Sequence, residues 1–186
     1  NNGINSNLIK DQTRPTTLKK RYIVDNQKLF RVSKIEEHKL NKKVEDQIIS
    51  KLRLFAPKIN GIVVSDFVYG VITQKILDEI QKLSKKYSLM LFGDTQCSSQ
   101  VGDITSLKNF SLICPNEKEA RIALKDKETG LEKLSQILIH ETKANRLIMK
   151  LGAEGFIAYD ATQKRIKSQF FPALSVNPLD VTGAGD

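Results

Sequence analysis

At 186 residues, with 40% hydrophobic and 27% charged side chains, the chain has an ordinary globular composition and the length for one domain with a sizeable core. No apolar run approaches the ~20 residues needed to cross a bilayer, and Asn1 to Asn7 lacks the basic and apolar regions of a signal peptide, so a cytoplasmic protein without a membrane partner is expected. The net charge of +9 comes mostly from scattered lysines, and with 6% aromatics and no RNA-module signature it reads as a solvated surface with no nucleic-acid partner.

Tyr22-Ile23-Val24 and Lys28-Leu29-Phe30-Arg31-Val32 flank Asp25-Asn26, a pair suited to a tight turn, and predict a β-hairpin. Leu40, Val44, Ile48, Leu52 and Phe55 then recur at helical spacing until Pro57 stops them. Gly61 to Asp66 is a short apolar run of the kind a buried strand needs. A second helix starts after Thr73, a suitable N-cap, with Ile76, Leu77, Ile80, Leu83 and Tyr87 on one face. Strands are predicted over Ser88 to Phe92, Phe110 to Cys114 and Arg146 to Lys150, helices over Asn116 to Leu124 and Leu131 to Glu141. Gly155 to Tyr159 and Lys164 to Phe171 form a last hairpin, followed by a loop between Pro172 and Pro178. This alternation predicts an α/β fold, a doubly wound, mostly parallel sheet with flanking helices and a hairpin near the N-terminus.

Such sheets bind ligands beyond the carboxyl ends of their strands. Asp66, Asp94, Asn116 and Gly152 all fall there and are the first candidates for a site. Asn116 and Glu119 also fit a helix N-cap with its capping-box glutamate. Cys97 and Cys114 are far apart and the only histidines are His38 and His140, which argues for reduced buried thiols and against a metal-ligand cluster.

The chain closes on Asp180-Val181-Thr182-Gly183-Ala184-Gly185-Asp186. Small residues let a backbone approach a ligand closely, and successive N–H groups entering a helix cradle anions. A carboxylate beside such a cradle suits proton removal from a hydroxyl during phosphoryl transfer. As a bare glycine turn, the same segment is a helix start with Asp186 complementing the dipole.

The seven residues resemble the second signature of the ribokinase-like (PfkB) carbohydrate kinases. The resemblance implies Asp186 as catalytic base, the Gly183, Ala184 and Gly185 backbone as anion hole, and Asp180 with Thr182 as part of a monovalent-cation site for an ion such as K⁺. Cys114-Pro115-Asn116-Glu117-Lys118-Glu119 resembles the family's proline-asparagine-x-x-glutamate element, which implies that Asn116 and Glu119 help organise Mg²⁺ and ATP. Lys150-Leu151-Gly152-Ala153-Glu154-Gly155 is similar to its nucleotide-side loop and puts Gly152 near the phosphates.

Arg14-Pro15-Thr16-Thr17-Leu18-Lys19-Lys20-Arg21 and Ser65-Asp66-Phe67-Val68-Tyr69-Gly70 look like segments of bacterial D-glycero-β-D-manno-heptose-7-phosphate kinases, which serve ADP-heptose and lipopolysaccharide precursor synthesis. That likeness implies Arg14, Lys19, Arg21, Asp66 and Asp94 as substrate-binding residues, ATP and Mg²⁺ as cofactors, phosphorylation of a sugar hydroxyl, and a homodimer through the hairpin. Two departures stand out: Tyr69 and Gln96 replace lysines that such kinases carry. They leave open another sugar, sugar phosphate or nucleoside as acceptor, or a non-catalytic sugar-phosphate-binding protein of the same fold. The expected organisation is a partial kinase domain over 1–186, with a lid-like hairpin over 13–34 and an α/β core over 40–186. Truncation at both ends is expected, and with it an inactive fragment.

Overall fold

The computed structural model describes residues 3–25, 27–36, 38–96 and 101–174. The hairpin forms from β1 (Leu18–Val24) and β2 (Gln27–Lys34). Leu18 pairs with Lys34 at the open end and Val24 with Gln27 at the turn, with a bulge between Tyr22 and Ile23. Asp25 enters the turn at φ 47°, a left-handed conformation that aspartate tolerates; Asn26 lies outside the described residues.

The core alternates as predicted. α1 (Lys42–Phe55) starts two residues later than the apolar spacing suggests, because the Asn41 side chain accepts the Val44 N–H and caps it. A 3-10 turn holding Pro57 ends it, since proline has no N–H to continue the ladder. β3 (Gly61–Asp66) leads to α2 (Gln74–Tyr87), whose cap is Thr73. Ile76, Leu77, Ile80 and Leu83 of α2 are all buried, each worth roughly 1.5–3 kcal/mol of transfer free energy.

β4 (Met90–Thr95) begins two residues after its predicted start, because Ser88 turns left-handed at φ 54° to close α2. β5 is short (Leu112–Ile113), although Ser111 and Cys114 still donate to the Leu91 and Gly93 carbonyls on β4. α3 (Glu117–Leu124), α4 (Leu131–Thr142) and β6 (Arg146–Lys150) follow, then β7 (Phe156–Asp160) and β8 (Lys167–Phe171).

The sheet runs β3-β4-β5-β6-β7-β8, parallel through β6 and antiparallel beyond it. Side chains alternate across it. Val64, Leu91, Ile113, Leu147 and Met149 face the helices and join residues of all four in one core. Gly93 lies on that face because a Cβ there would meet Leu107 Cδ1 at 2.5 Å and Phe110 Cδ1 at 2.9 Å. On the opposite face Val63 is 74% exposed and Met90 51%. Among the described residues, then, the helices cover one side of the sheet, and the parallel strands deliver their carboxyl ends to a common edge.

Candidate active site

The edge is built strand by strand. Asp66 ends β3, and its Oδ1 accepts the Val68 N–H at 2.8 Å. That bond holds Val68 at φ 62°, a conformation costly for a β-branched residue and kept only where surroundings enforce it. Burial pushes the Asp66 carboxyl above its ordinary range, and the Val68 N–H offsets this in part.

The loop after Asp66 is tied to the root of the hairpin. The Arg14 guanidinium donates to Tyr69 O at 2.7 Å and to His38 O, and pairs with Asp11 at 3.1 Å. Leu40 N donates to Gly70 O. Arg14 is thus engaged in joining two segments. Lys19 approaches the same loop, its Nζ 5.8 Å from the Phe67 ring centre and 5.3 Å from that of Tyr69, within cation–π range. Arg21 is exposed on β1 and pairs directly with Arg31 of β2. By alternation Lys19, Arg21, Arg31 and Ser33 share one hairpin face, and Leu18, Lys20, Tyr22, Phe30, Val32 and Lys34 the other.

Asp94 lies beside Ser65 in register, next along the edge. Its Oδ1 receives Lys150 Nζ from the end of β6 at 3.0 Å, across the intervening β5. Cys114 sits between; burial pushes its thiol up, while Lys150 and Asp94 act on it in opposite directions. It stays a neutral neighbour of the pair.

At Asn116 the structure forms the helix cap that the sequence suggests. Its Oδ1 accepts the Glu119 N–H at 2.8 Å, and Glu119 Oε2 accepts the Asn116 N–H at 2.7 Å, a complete capping box. Glu119 is buried. Lys150 N donates to Pro115 O at 2.9 Å, and Asn116 bridges to Lys150 in parallel, so the start of α3 and the end of β6 stand side by side. The next loop turns at Gly152, φ 63°, and at Gly155, φ 103°. A Cβ on Gly152 would meet nothing within 4 Å, so this glycine serves backbone conformation and leaves the main chain approachable. Asn116, Lys118, Arg121, Lys150, Leu151 and Gly152 line an open groove of about 470 Å³.

The structure therefore gathers Asp66, Asp94, Asn116 and Gly152 on one edge, brings Lys19 to the Asp66 loop, and buries Glu119 in a cap. Asp180, Thr182, Gly183, Ala184, Gly185 and Asp186, like Cys97, lie outside the described residues. Sequence reasoning missed the Asp94–Lys150 pair and the anchoring contacts of Arg14. A lysine closing a strand with an apolar middle, Leu147–Met149, was the signal for the first; nothing local in the sequence announces the second. Among the described residues no three His, Cys, Asp or Glu side chains gather as a metal cage, and no helix is long and apolar enough to cross a membrane.

An open sheet with polar residues at its carboxyl edge, a capped helix start and a glycine loop around a groove is the layout of a small-molecule-binding α/β domain. The chain belongs to the family described as pfkB family carbohydrate kinase, whose sequence model matches residues 1–186. It is similar to the bifunctional protein HldE of Helicobacter acinonychis, 33% identical over 97% of this chain and 38% of that protein. The HldE of Wolinella succinogenes is 28% identical over 96% of this chain and 36% of its own length. The chain thus spans well under half of the curated relatives it matches. In fold it resembles a ribokinase from Giardia lamblia, with a TM-score of 0.65 and 16% identity over 88% of this chain and 50% of that one.

Proposed function

We propose that the full-length protein phosphorylates a sugar hydroxyl with ATP, supplied as its Mg²⁺ complex, in the cytoplasm. The observation that carries this reading is the family match over all 186 residues, which takes in the motif Asp180–Asp186. In the proposed reaction Asp186 removes the proton of the acceptor hydroxyl, the oxygen attacks the γ-phosphorus, and ADP leaves while the Gly183–Gly185 N–H groups stabilise the transferring charge. Magnesium keeps much of its water and is carried by substrate phosphates, so Asn116 and Glu119 would act on it by shaping the groove and through water. Asp180 and Thr182 are proposed to hold a monovalent cation such as K⁺.

Heptose 7-phosphate, phosphorylated at its 1-hydroxyl to the 1,7-bisphosphate, is the proposed acceptor. Two HldE relatives support it, and so does the basic hairpin face. Arg21 and Arg31 sit directly opposite on it, and guanidinium groups suit bidentate contacts with phosphate. Arg14 and Lys19 would place this face over Asp66 and Asp94. We further propose a homodimer in which a second copy covers the hairpin face where Leu18, Tyr22, Phe30 and Val32 are exposed.

Asp186→Asn in the full-length protein is expected to lower kcat by at least about a hundred-fold with nucleotide affinity kept within a few-fold. Unchanged turnover would refute the mechanism. A second acceptor reading rests on Tyr69, which stacks with Phe67 at 6.4 Å between ring centres and offers an apolar platform where a cation is expected. A panel of heptose, fructose and ribose substrates and nucleosides, read by ADP release, decides between them. Sugar-phosphate binding without any ADP release would instead indicate a non-catalytic binder.

A further inference from the structure

Among the described residues the hairpin strands lose exposure at a single rung, Lys19 paired with Ser33; the others are exposed. Lys19 lies over the loop after β3, its Nζ 5.8 Å from the centre of the Phe67 ring and 5.3 Å from that of Tyr69. The two rings are stacked, with 20° between their planes, and so present paired faces to the ammonium. Tyr69 also takes a second cation from the hairpin root, because the Arg14 guanidinium donates to its carbonyl at 2.7 Å. The same guanidinium donates to His38 O on the returning leg. Both legs of the hairpin therefore meet at Tyr69.

The loop is bent to make this possible. Val68 at φ 62° and Gly70 at φ 75° flank Tyr69, the first a conformation that a β-branched residue keeps only where its surroundings enforce it. Asp66 Oδ1 holds the Val68 N–H, and Leu40 N holds Gly70 O. An incidental surface contact is the plain alternative, but it accounts neither for the strained turn nor for two hairpin cations on one residue. Lys19 shares its hairpin face with Arg21 and Arg31. With Lys19 seated on the rings, that face is the one turned toward the loop that follows Asp66.

We propose, resting on the kinase reading above and its phosphorylated acceptor, that Tyr69 is a positioning residue for the hairpin: its ring, stacked with Phe67, seats Lys19, its carbonyl seats Arg14, and the Arg21–Arg31 pair is thereby aimed at the acceptor's phosphate. Tyr69 acts through the hairpin rather than on the sugar. The ring face is what the role requires.

Limited trypsin digestion of the full-length protein tests the latch, since the rate of the cut after Arg31, read by mass spectrometry, follows how often the hairpin opens. Tyr69→Leu is expected to speed this cut about two- to five-fold, the range of an exposed cation–π contact, and Tyr69→Phe, which keeps the ring, to return it to the wild-type rate. Lys19→Met should match Tyr69→Leu, and the double variant should be cut no faster than either, because both changes break one contact. A wild-type rate in Tyr69→Leu, or effects that multiply in the double variant, would overturn the latch. Should Tyr69→Leu fail to fold, Lys19→Met decides: an unchanged rate refutes the contact. Calorimetry reads the aim of the arginines. Tyr69→Leu should weaken heptose 7-phosphate by about the same two- to five-fold and leave unphosphorylated heptose unchanged, whereas equal weakening of both sugars would overturn that aim. Faster cutting in the variants of a protein that binds no heptose 7-phosphate would sink the acceptor reading alone, and heptose 7-phosphate binding indifferent to Tyr69 would sink this inference alone.

Discussion

The sheet core and the hairpin are held by different physics. In the core Phe110, Ile113, Leu134, Leu138, Leu147 and Met149 are wholly removed from water. Along β1 and β2, by contrast, every described residue is exposed except the half-buried Lys19 and Ser33. The hairpin depends on its own ladder, on the Tyr22–Phe30 stack at 4.5 Å, and on polar ties such as those of Arg14. A two-stranded ribbon of this kind is marginal by itself. The core is therefore a platform that resists deformation, and the hairpin is an element whose position costs little to change, which is the division of labour a substrate lid requires.

That contrast predicts its own largest breakage. Leu147→Ala should destabilise the protein by about 2–5 kcal/mol, because the cavity opens in the middle of the packed layer. Val32→Ala on the hairpin should change stability by less than about 0.5 kcal/mol. Denaturant melts of the two variants check this, and comparable losses would mean that the hairpin is part of the cooperative core.

The second prediction sharpens the contrast by asking what the exposed hairpin face is for. If another copy covers it, Phe30→Glu should turn a dimer into a monomer in sedimentation while leaving the unfolding of the core unchanged. The residue is 56% exposed and stacks on Tyr22, so in the monomer the substitution loosens the hairpin without entering the core, whereas in an interface it would bury an unpaired charge. A wild-type protein that is monomeric at high micromolar concentration would contradict the dimer.

The core was legible in the sequence because its signals are local and redundant. Thr73, Asn116 and Pro57 mark helix ends by chemistry that acts within a few residues, and the apolar spacing of α2 states its buried face directly. Strand starts were less legible: Ser88 belongs to an apolar run, yet it is spent on closing the preceding helix. The edge was legible as a place, since Asp66, Asp94, Asn116 and Gly152 each follow or end a predicted strand. Its wiring was not. Lys150 lies 56 positions from Asp94 and Arg14 lies 55 from Tyr69, and only the strand order and the path of the hairpin root bring them together.

The smallest effect comes from the residue where the sheet edge and the hairpin root meet. Asp66 is desolvated at the end of β3, and its carboxyl is raised above the ordinary value of about 3.9. The folded protein therefore holds this proton more tightly than the unfolded chain does. The corresponding stability is fully present below the ordinary value and is lost as pH rises through the folded one. Asp66→Asn cannot ionise, and its amide oxygen can still accept the Val68 N–H. The variant should match wild type in melting temperature at strongly acid pH and exceed it modestly at neutral pH, the gap opening across the weakly acid range in paired thermal melts. If Asp66 receives the acceptor, the same substitution should weaken its binding, because the carboxylate oxygen not held by the Val68 N–H, able to accept a sugar hydroxyl, becomes an NH2 that can only donate. A gain in stability joined to a loss in affinity would mark Asp66 as a charge kept at a cost for the ligand; a variant less stable than wild type at neutral pH would make it a structural turn residue instead.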